Sequence, residues 1–298
     1  MEFEKQFATE DQCREYLFHL RYPDGFICPK CSFNKAWKTG RGKYQCQSCG
    51  KDISVLAGTI FQDTHTPLTI WFRAIWYVVA QKHGTSALNL QSILGLGSYQ
   101  TAWTMLHKLR RAMVRPGRDK LSGRIEVDET YIGGVTKSGR IGRGSERKAL
   151  VAIAVEVNDN KIGRIRLKLI EDASSSQLLP FIEEAVTHGS TIITDGWSSY
   201  GKLKDMSYNH EVIKAKDIDA DSLLPHVHTT ASLLKRWILG TLQGSCSKEH
   251  FAYYLDEYTF RYNRRKSKSR GLLFLRLLEN AVQIETTTYE QLIIKRKQ

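Results

Sequence analysis

R-I-E-V-D-E-T-Y-I-G-G, residues 124–134, is the stretch of this sequence that decides the fold. Apolar Ile125 and Val127 alternate with acidic residues, and this period of two predicts a β-strand with one apolar face. The glycine pair that follows predicts a turn. An unpaired carboxylate is unfavourable inside an apolar strand, because its burial removes it from water. Asp128 therefore needs a cationic partner or a functional role.

A second strand of the same kind lies downstream and reads T-I-I-T-D-G over residues 191–196. It also carries one aspartate, Asp195, at the point where an apolar run meets a glycine turn. Two such aspartates in a basic chain suggest a shared site for a divalent metal ion, because hard cations bind carboxylate oxygens. The alternative is that each aspartate caps the turn after it or pairs with a nearby arginine.

The charge balance of the chain predicts a polyanionic partner. The 298 residues include 44 Lys and Arg against 31 Asp and Glu, which gives a net charge of +13. Nucleic acid is the default partner of such a chain, and an anionic membrane surface is the weaker alternative. No apolar run reaches the roughly 18 residues that span a bilayer, and the charged N-terminus lacks the apolar core of a signal peptide. We therefore expect a cytoplasmic protein whose cysteines stay reduced.

Four cysteines are spaced as ligands of one metal ion. C-P-K-C and C-Q-S-C-G form two C-x-x-C pairs that are fourteen residues apart, and this spacing predicts a zinc ribbon with a tetrahedral site. Four thiolates leave no open coordination position, so the predicted zinc is structural. Disulfide bonds are the alternative. The predicted zinc ligands are Cys28, Cys31, Cys46 and Cys49.

A helical segment follows the cysteines. Residues 67–82 are apolar nearly all round, so this helix should be buried. A short helix over 87–94, a turn at 95–97 and a third helix from Tyr99 to about Met113 form the pattern of helix-turn-helix DNA-binding proteins. A plain helical hairpin in a three-helix bundle is the alternative. The residues expected to contact nucleic acid here are Tyr99, Gln100, Thr101, Lys108 and Arg111.

From residue 124 the pattern changes from helices to strands. The predicted order is a strand at 124–132, strands at 149–157 and 161–170, a helix to about Thr187 and a strand at 191–195. This β-β-β-α-β order is the first half of a ribonuclease-H-like domain. By analogy with that fold, the first and fourth strands are neighbours, which would place Asp128 beside Asp195.

The sequence thus predicts an α+β protein with three domains. They are an N-terminal helix with the zinc ribbon over 1–60, a helix-turn-helix region with a basic linker over 61–120, and a ribonuclease-H-like α/β catalytic domain with a mixed sheet over 121–298. Further basic residues expected to contact nucleic acid lie in a glycine-rich loop and in a late basic run, and they are Arg140, Arg143, Arg264 and Arg265. His228 and Lys235 are seven residues apart, which is two helical turns, so both side chains project on one helix face.

Five motifs together resemble the bacterial insertion-sequence transposases of the DDE superfamily. They are C-P-K-C…C-Q-S-C-G, I-E-V-D-E-T-Y-I-G-G, I-I-T-D-G-W-S-S-Y, H-V-H-T-T-A-S-L-L-K-R-W-I-L-G-T and Y-L-D-E-Y-T-F-R-Y-N-R-R. The chain is most similar to the subgroup with an N-terminal zinc ribbon and a D-D-(N/H/E)-K catalytic set. This resemblance implies that the catalytic residues are Asp128, Asp195, His228 and Lys235.

The resemblance also implies the cofactors of this site. Asp128, Asp195 and His228 would bind two Mg²⁺ or Mn²⁺ ions, and Lys235 would contact a phosphate near the cut. His228 stands where most of the superfamily has Glu, and its neutral imidazole implies weaker Mg²⁺ binding or a preference for Mn²⁺. His226 and Glu126 are the nearest competitors for the third position.

The function that this resemblance implies is transposition. Such a protein binds the terminal inverted repeats of its own element and catalyses metal-dependent DNA cleavage and strand transfer, and we expect it to act as a homo-oligomer on DNA. Two alternatives remain. One is an inactive or domesticated relative that keeps the zinc ribbon and the helix-turn-helix and only binds DNA. The other is a ribonuclease-H-like nuclease that cleaves without joining.

Overall fold

The computed structural model describes residues 2–115, 117–133, 148–213, 223–242 and 248–294. The chain forms two compact units. The helical unit consists of Met1–Pro116 and Ser267–Gln298, and the sheet unit is Gly117–Lys266. Residues 267–298 therefore belong with the N-terminal segments, whereas the sequence placed them in the catalytic domain. Arg140 and Arg143 lie outside the described residues.

The described residues contain ten α-helices and eight strands. In chain order they are α1 (Glu2–Gln6), α2 (Glu10–Arg21), β1 (Ala36–Lys38), β2 (Tyr44–Cys46), β3 (Asp52–Ile53), α3 (Leu68–Ala80), α4 (Ala87–Leu94), α5 (Tyr99–Ala112), β4 (Arg124–Ile132), β5 (Ala149–Asn158), β6 (Lys161–Ile170), α6 (Ser175–Ala185), β7 (Thr191–Thr194), β8 (Asn209–Val212), α7 (Pro225–Leu242), α8 (Phe251–Asn263), α9 (Arg270–Gln283) and α10 (Tyr289–Ile294). A 3₁₀ helix over Ser198–Met206 lies between β7 and β8. None of the described helices is long and apolar enough to cross a membrane.

The core of the helical unit explains why the C-terminal residues join it. The ring of Phe274 on α9 lies 5.7 Å from the ring of Phe72 on α3 and 5.5 Å from that of Phe7, measured between centroids. Leu277 and Leu278 are fully buried on the same helix, and α9 contacts α2, α3 and α5. The apolar face of α9 thus has its partners in this unit, because burial of such a face is what stabilises a helix in water.

The helices predicted as a helix-turn-helix occur where the sequence places them. The Ser86 hydroxyl accepts a hydrogen bond from the Asn89 backbone N–H at 3.2 Å and caps α4. Gly95 ends α4 in the left-handed region at φ 63°, a conformation that glycine adopts without strain. Helix α5 follows and contacts α4. The two helices therefore have the predicted order, and their role in DNA binding stays a prediction.

The zinc ribbon is a three-stranded antiparallel sheet with β2 at its centre. Ala36 on β1 pairs with Cys46 on β2, so the second cysteine pair begins at the end of the central strand. Phe26 and Ile53 pack with Cys28 and Cys46 in a small core. Because such a small core buries little apolar surface, the metal site has to supply much of the stability of the ribbon.

The sheet unit is built on a five-stranded mixed sheet in the order β6-β5-β4-β7-β8. β4 pairs antiparallel with β5, β5 pairs antiparallel with β6, and β7 pairs parallel with β4 and β8. Ile125 and Val127 pack on one face with residues of α6. Ile153 and Val155 pack on the other face with residues of α7 and α8. The predicted fold class is therefore confirmed, with a ribonuclease-H-like mixed sheet covered by helices on both faces.

Candidate active site and zinc centre

The parallel pairing of β4 with β7 brings the two predicted aspartates to neighbouring positions. Glu126 on β4 lies opposite Ile193 on β7, and continuation of this register by two residues places Asp128 opposite Asp195. The side chain of Asp128 retains 20% of its exposure, and Asp195, the first residue after β7, is exposed. The structure thus brings both carboxylates to one end of the β4–β7 pair.

Helix α7 lies along one face of β4 and contacts it at three successive inward positions. The carboxylate of Glu126 lies 2.6 Å from Nδ1 of His226. Asp128 Oδ2 lies 3.5 Å from Nε2 of His228. The third contact is the hydrogen bond that Lys235 Nζ donates to Thr130 Oγ1 at 2.9 Å. Because residues 126, 128 and 130 share a strand face, this pairing aligns all the predicted catalytic groups of α7 with Asp128.

Electrostatics at Asp128 indicate an acidic site in need of a cation. Burial raises the pKa of Asp128 to about 6, and the negative charge of Asp195 adds to the rise. The ammonium of Lys235 opposes it and lowers the pKa. When two carboxylates lie close together in a partly buried site, each destabilises the ionised form of the other. A bound cation would remove that repulsion.

Glu126 and His226 are engaged with each other. Glu126 Oε2 accepts hydrogen bonds from the backbone N–H groups of His226 and Val227, both at 2.9 Å. These N–H groups lie in the first turn of α7, where no carbonyl of the helix can accept from them. Glu126 therefore caps α7, and neither it nor His226 is free to bind a metal. Sequence reasoning gave Glu126 no structural role, although the period of two correctly put it on the face of Asp128.

On the opposite face of β4, a second carboxylate is bound by a buried tyrosine. The hydroxyl of Tyr200 donates to Glu129 Oε2 at 2.9 Å, and Tyr200 is fully buried in the 3₁₀ helix after Asp195. Burial and the charge of Glu129 raise the pKa of Tyr200, so the hydroxyl stays protonated and remains a donor. Asp195 Oδ1 accepts the backbone N–H of Trp197 at 2.9 Å. The side chains of Asp195 and Tyr200 thus hold the segment after β7 in place.

The residues at this site fit a divalent cation of the hard type. Carboxylate oxygens suit Mg²⁺ and Mn²⁺, and a neutral imidazole suits Mn²⁺ better than Mg²⁺. The ligand atoms of Asp128, Asp195 and His228 do not all lie within 4.8 Å of one another. Within the described ranges, only the four cysteines form a group of three or more ligand atoms at that spacing. This openness fits Mg²⁺, which is commonly held by one or two carboxylates together with water and substrate phosphates.

The four predicted zinc ligands form a closed cluster. The Sγ atoms of Cys28, Cys31, Cys46 and Cys49 all lie within 4.8 Å of one another. Cys28 lies 3.7 Å from Cys49, and Cys31 lies 3.5 Å from Cys46. Zn–S bonds of about 2.3 Å in a tetrahedron need sulfur separations of this size. The cluster is therefore a structural zinc site, and the disulfide alternative does not describe it.

The predicted nucleic-acid contacts on α5 differ in exposure. Tyr99 and Gln100 are exposed, and Thr101 and Arg111 are partly exposed. Lys108 retains only 9% of its exposure, so its side chain is not free on the surface. The helix turns Lys108 toward the interior of the unit, and the sequence gave no sign of this because α10, which packs against α5, is about 180 residues away.

Arg264 and Arg265 are held against their own unit. The guanidinium of Arg265 lies 4.2 Å from the ring centroid of Tyr262 and donates to the carbonyl of Gly163 at 3.2 Å. The guanidinium of Arg264 lies 4.2 Å from the ring centroid of Phe260. Both cation–π contacts stabilise the end of α8. A nucleic-acid contact from these residues stays a prediction, and the structure gives both of them a packing role.

Fold and sites together define the class of the protein. A ribonuclease-H-like sheet with aspartates on neighbouring strands, joined in one chain to a four-cysteine ribbon, is the build of a transposase-type enzyme that processes DNA. Two family models agree with this class: the transposase zinc-ribbon domain matches residues 8–52, and the ISXO2-like transposase domain matches residues 120–263. The chain belongs to this family of insertion-sequence transposases.

Individual relatives give further points of comparison. An uncharacterized protein in transposable element ISH50 of Halobacterium salinarum is 24% identical over 277 residues, which are 86% of this chain and 92% of the relative. The crystal structure of a pre-cleavage Mos1 transpososome is 12% identical over 73% of this chain and 79% of that chain, with a TM-score of 0.30. The Mos1 transposase paired-end complex with the left transposon end is 11% identical over 75% and 77%, with a TM-score of 0.32. Structural likeness at this level carries no argument about this chain.

Proposed function

We propose that this transposase binds the terminal inverted repeats of its element and catalyses metal-dependent DNA cleavage and strand transfer. The observation that carries the proposal is the alignment of α7 along β4, which brings His228 to 3.5 Å from Asp128 beside the register position of Asp195. A net charge of +13 supports a DNA partner for this acidic site.

Asp128, Asp195 and His228 are the residues that would hold Mg²⁺ or Mn²⁺. When bound, such ions stabilise the attacking and leaving oxygens of an in-line phosphoryl transfer. His228 brings no negative charge, so this set carries one fewer charge than three carboxylates. We therefore propose that the ratio of activity with Mn²⁺ to activity with Mg²⁺ is higher for this protein than for members of the superfamily with three carboxylates. The reason is that imidazole nitrogen is a softer ligand than carboxylate oxygen.

Lys235 would bind a phosphate of the DNA near the cut. Its ammonium is held beside Asp128 by the hydrogen bond to Thr130 at 2.9 Å. A lysine acts on a phosphate as a point charge with rotatable donors. The exchange of the neutral Thr130 hydroxyl for a phosphate oxygen strengthens the interaction, since both partners are then charged. Lys235 would thus position the backbone without taking part in proton transfer.

The DNA-binding surfaces would be the zinc ribbon and the exposed start of α5. Tyr99 and Gln100 are exposed there, which suits contacts to base edges or phosphates from a helix N-terminus. Two element ends have to be brought together for strand transfer, so we propose that the protein acts as a homo-oligomer on DNA.

The test is an assay of the intact protein on a labelled duplex that carries the element end, with Mg²⁺ or Mn²⁺ and an unlabelled target duplex. Transposition predicts specific nicks at the end and products in which the end is joined to the target. Cleavage without joined products would support the nuclease alternative. Binding without cleavage under either metal would support the DNA-binding relative, and a duplex with a scrambled end is the control for specificity.

A further inference from the structure

The helical unit contains an open pocket of about 380 Å³ beside the start of α5, lined by both polar and apolar groups. One wall is α5 itself. The facing walls come from the loop before α3 and from the chain around the start of α10. These facing walls include Asp63, His65, Trp71, Thr286, Thr288 and Tyr289. The cavity is separate from the acidic site, which lies in the sheet unit.

Helix α5 presents one polar face to this cavity. Gln100, Thr101, Thr104 and Lys108 all line it, and their spacing of three to four residues puts them on one side of the helix. Within the described part of the chain, none of these four side chains makes a hydrogen bond or an ion pair. Gln100 is exposed and Thr101 and Thr104 are partly exposed, so these polar groups are open to a ligand that enters the cavity.

Lys108 is the least exposed of these four residues. The residue retains only 9% of its exposure, and its side chain lines the cavity. Burial lowers the pKa of Lys108, and the charge of Asp63 opposes the shift from a distance. Asp63 itself accepts a hydrogen bond from Gln62 Nε2 at 3.1 Å. Because lysine side chains on a helix point back toward its N-terminus, the ammonium is directed to the first turns of α5.

The N-terminus of α5 adds to the positive potential of the cavity. Ser98 precedes the helix, and its side chain makes no capping hydrogen bond. The first N–H groups of a 14-residue helix are thus left without an acceptor from that residue, and they carry the positive end of the helix dipole. The helix dipole thus adds to the positive potential near Thr101, in the first turn of α5.

We propose that this cavity binds a phosphate group of the DNA backbone, held by Lys108 and by the hydroxyls of Thr101 and Thr104. A phosphodiester offers two charged oxygens that accept several hydrogen bonds, which matches a set of clustered donors better than a neutral base does. The site rests on the proposed DNA-binding function and deepens it. It fixes the register of α5 on the duplex, while Tyr99, which is exposed and does not line the cavity, remains available for the bases.

The test measures DNA affinity by fluorescence anisotropy over a series of salt concentrations, with the full-length zinc-loaded protein and duplexes of end and scrambled sequence. Lys108→Met removes the charge with little change of shape, and Lys5→Met is the matched control because Lys5 is exposed on α1. Each phosphate contact contributes about 0.9 to the slope of log affinity against log salt. Lys108→Met is expected to lower the slope by about one unit on both duplexes, and Lys5→Met is expected to leave it unchanged.

A second variant tests the hydroxyl contact without a change of charge. Thr104→Val is isosteric, so it is expected to weaken binding severalfold while the salt slope stays at the wild-type value. Thermal unfolding of each variant verifies that it is folded. If wild type binds both duplexes but Lys108→Met and Thr104→Val match it in affinity and slope, the phosphate site is wrong and the proposed function stands. If wild type binds neither duplex, the proposed DNA-binding function fails, and the phosphate site fails with it.

Discussion

Glu126 shows how a single residue can position a site without being part of its chemistry. Its carboxylate joins the strand that carries Asp128 to the helix that carries His228, through hydrogen bonds to the His226 and Val227 backbone at 2.9 Å. The side chains at 126 and 226 were candidates for the third metal position on the sequence alone. Both are engaged in their mutual contact, and His228, whose Nε2 lies 3.5 Å from Asp128 Oδ2, stays the predicted third ligand.

We predict that Glu126→Ala destabilises the protein by about 2 to 3 kcal/mol, because it leaves buried N–H groups of α7 without an acceptor. The free energy of unfolding in urea measures this loss. Glu211→Ala is the matched control, since the Glu211 side chain is half exposed in its ion pair with Arg124 and its loss is expected to change stability by less than about 1 kcal/mol. Equal effects of the two substitutions would show that Glu126 does not cap α7.

The sequence could predict which residues share a strand face but not what they contact. The period of two put Glu126 and Asp128 on one side of β4, and the structure agrees. The partners of Glu126 lie about 100 residues further along the chain, and no local pattern encodes that distance. Lys108 is a similar case, because Thr286 and Thr288, which line the same cavity, lie about 180 residues further along the chain.

At the scale of elements, the zinc ribbon depends on its metal. Three strands of two or three residues bury too little apolar surface to be stable alone. The spacing of the cysteines was enough to predict this site, because C-x-x-C pairs encode the ligand geometry locally.

We predict one zinc ion per chain, and that Cys31→Ser abolishes its binding because three thiolates hold the ion much more weakly than four. Metal analysis of the purified protein checks the stoichiometry. Cys13→Ala is the control, since Cys13 is buried in α2 outside the cluster and its loss is expected to leave the zinc content unchanged. Retention of zinc by Cys31→Ser would contradict the four-cysteine site.

The β5–β6 pair contains a buried carboxylate that makes stability depend on pH. Burial raises the pKa of Glu156, but hydrogen bonds from Arg164 and from the Ser122 backbone outweigh it and hold the pKa below its usual range. A folded-state pKa below the unfolded value stabilises the protein above the unfolded pKa of about 4.3, and the stabilisation is lost as the pH falls. The Arg164 side chain donates from Nε to Glu156 Oε2 at 2.9 Å.

We therefore predict that the urea midpoint of wild type falls more steeply on acidification from about pH 5 to about pH 3 than that of Arg164→Met, which lacks the main donor. Lys168→Met is the control, because it removes an exposed pair with Glu184. It is expected to keep the pH dependence of wild type. Parallel curves for Arg164→Met and wild type would mean that the Glu156 pair does not contribute.

At the scale of the whole molecule, the chain returns to its first unit after it completes the second. The helical unit takes Ser267–Gln298 from the end of the chain, and α9 places Leu277 in its core without exposure. The sequence assigned this segment to the catalytic domain over 121–298. The amphipathic pattern of α9 indicates that one face is buried. The structure shows that this face packs on α2, α3 and α5.

We predict that Leu277→Ala destabilises the helical unit by about 2 to 5 kcal/mol, the usual range for a cavity left by leucine in a core. Leu272→Ala on the same helix is the matched control, because Leu272 retains 42% of its exposure and should change stability by about 0.5 kcal/mol or less. Thermal unfolding followed by circular dichroism makes the comparison. Similar melting curves for both variants would contradict the placement of α9.

We propose that Asp128, Asp195 and His228 form the site that cuts DNA. The most direct measurement is the Mn²⁺-dependent cleavage rate of an element-end duplex by wild type, Asp195→Asn, His228→Ala and Asp205→Asn, where Asp205 is an exposed aspartate of the same unit. We expect Asp195→Asn and His228→Ala each to lose at least about a hundredfold in rate, the order of effect seen when a group that stabilises the transition state is removed, and Asp205→Asn to retain the wild-type rate. Full activity of Asp195→Asn or His228→Ala would contradict the claim and move the catalytic site elsewhere.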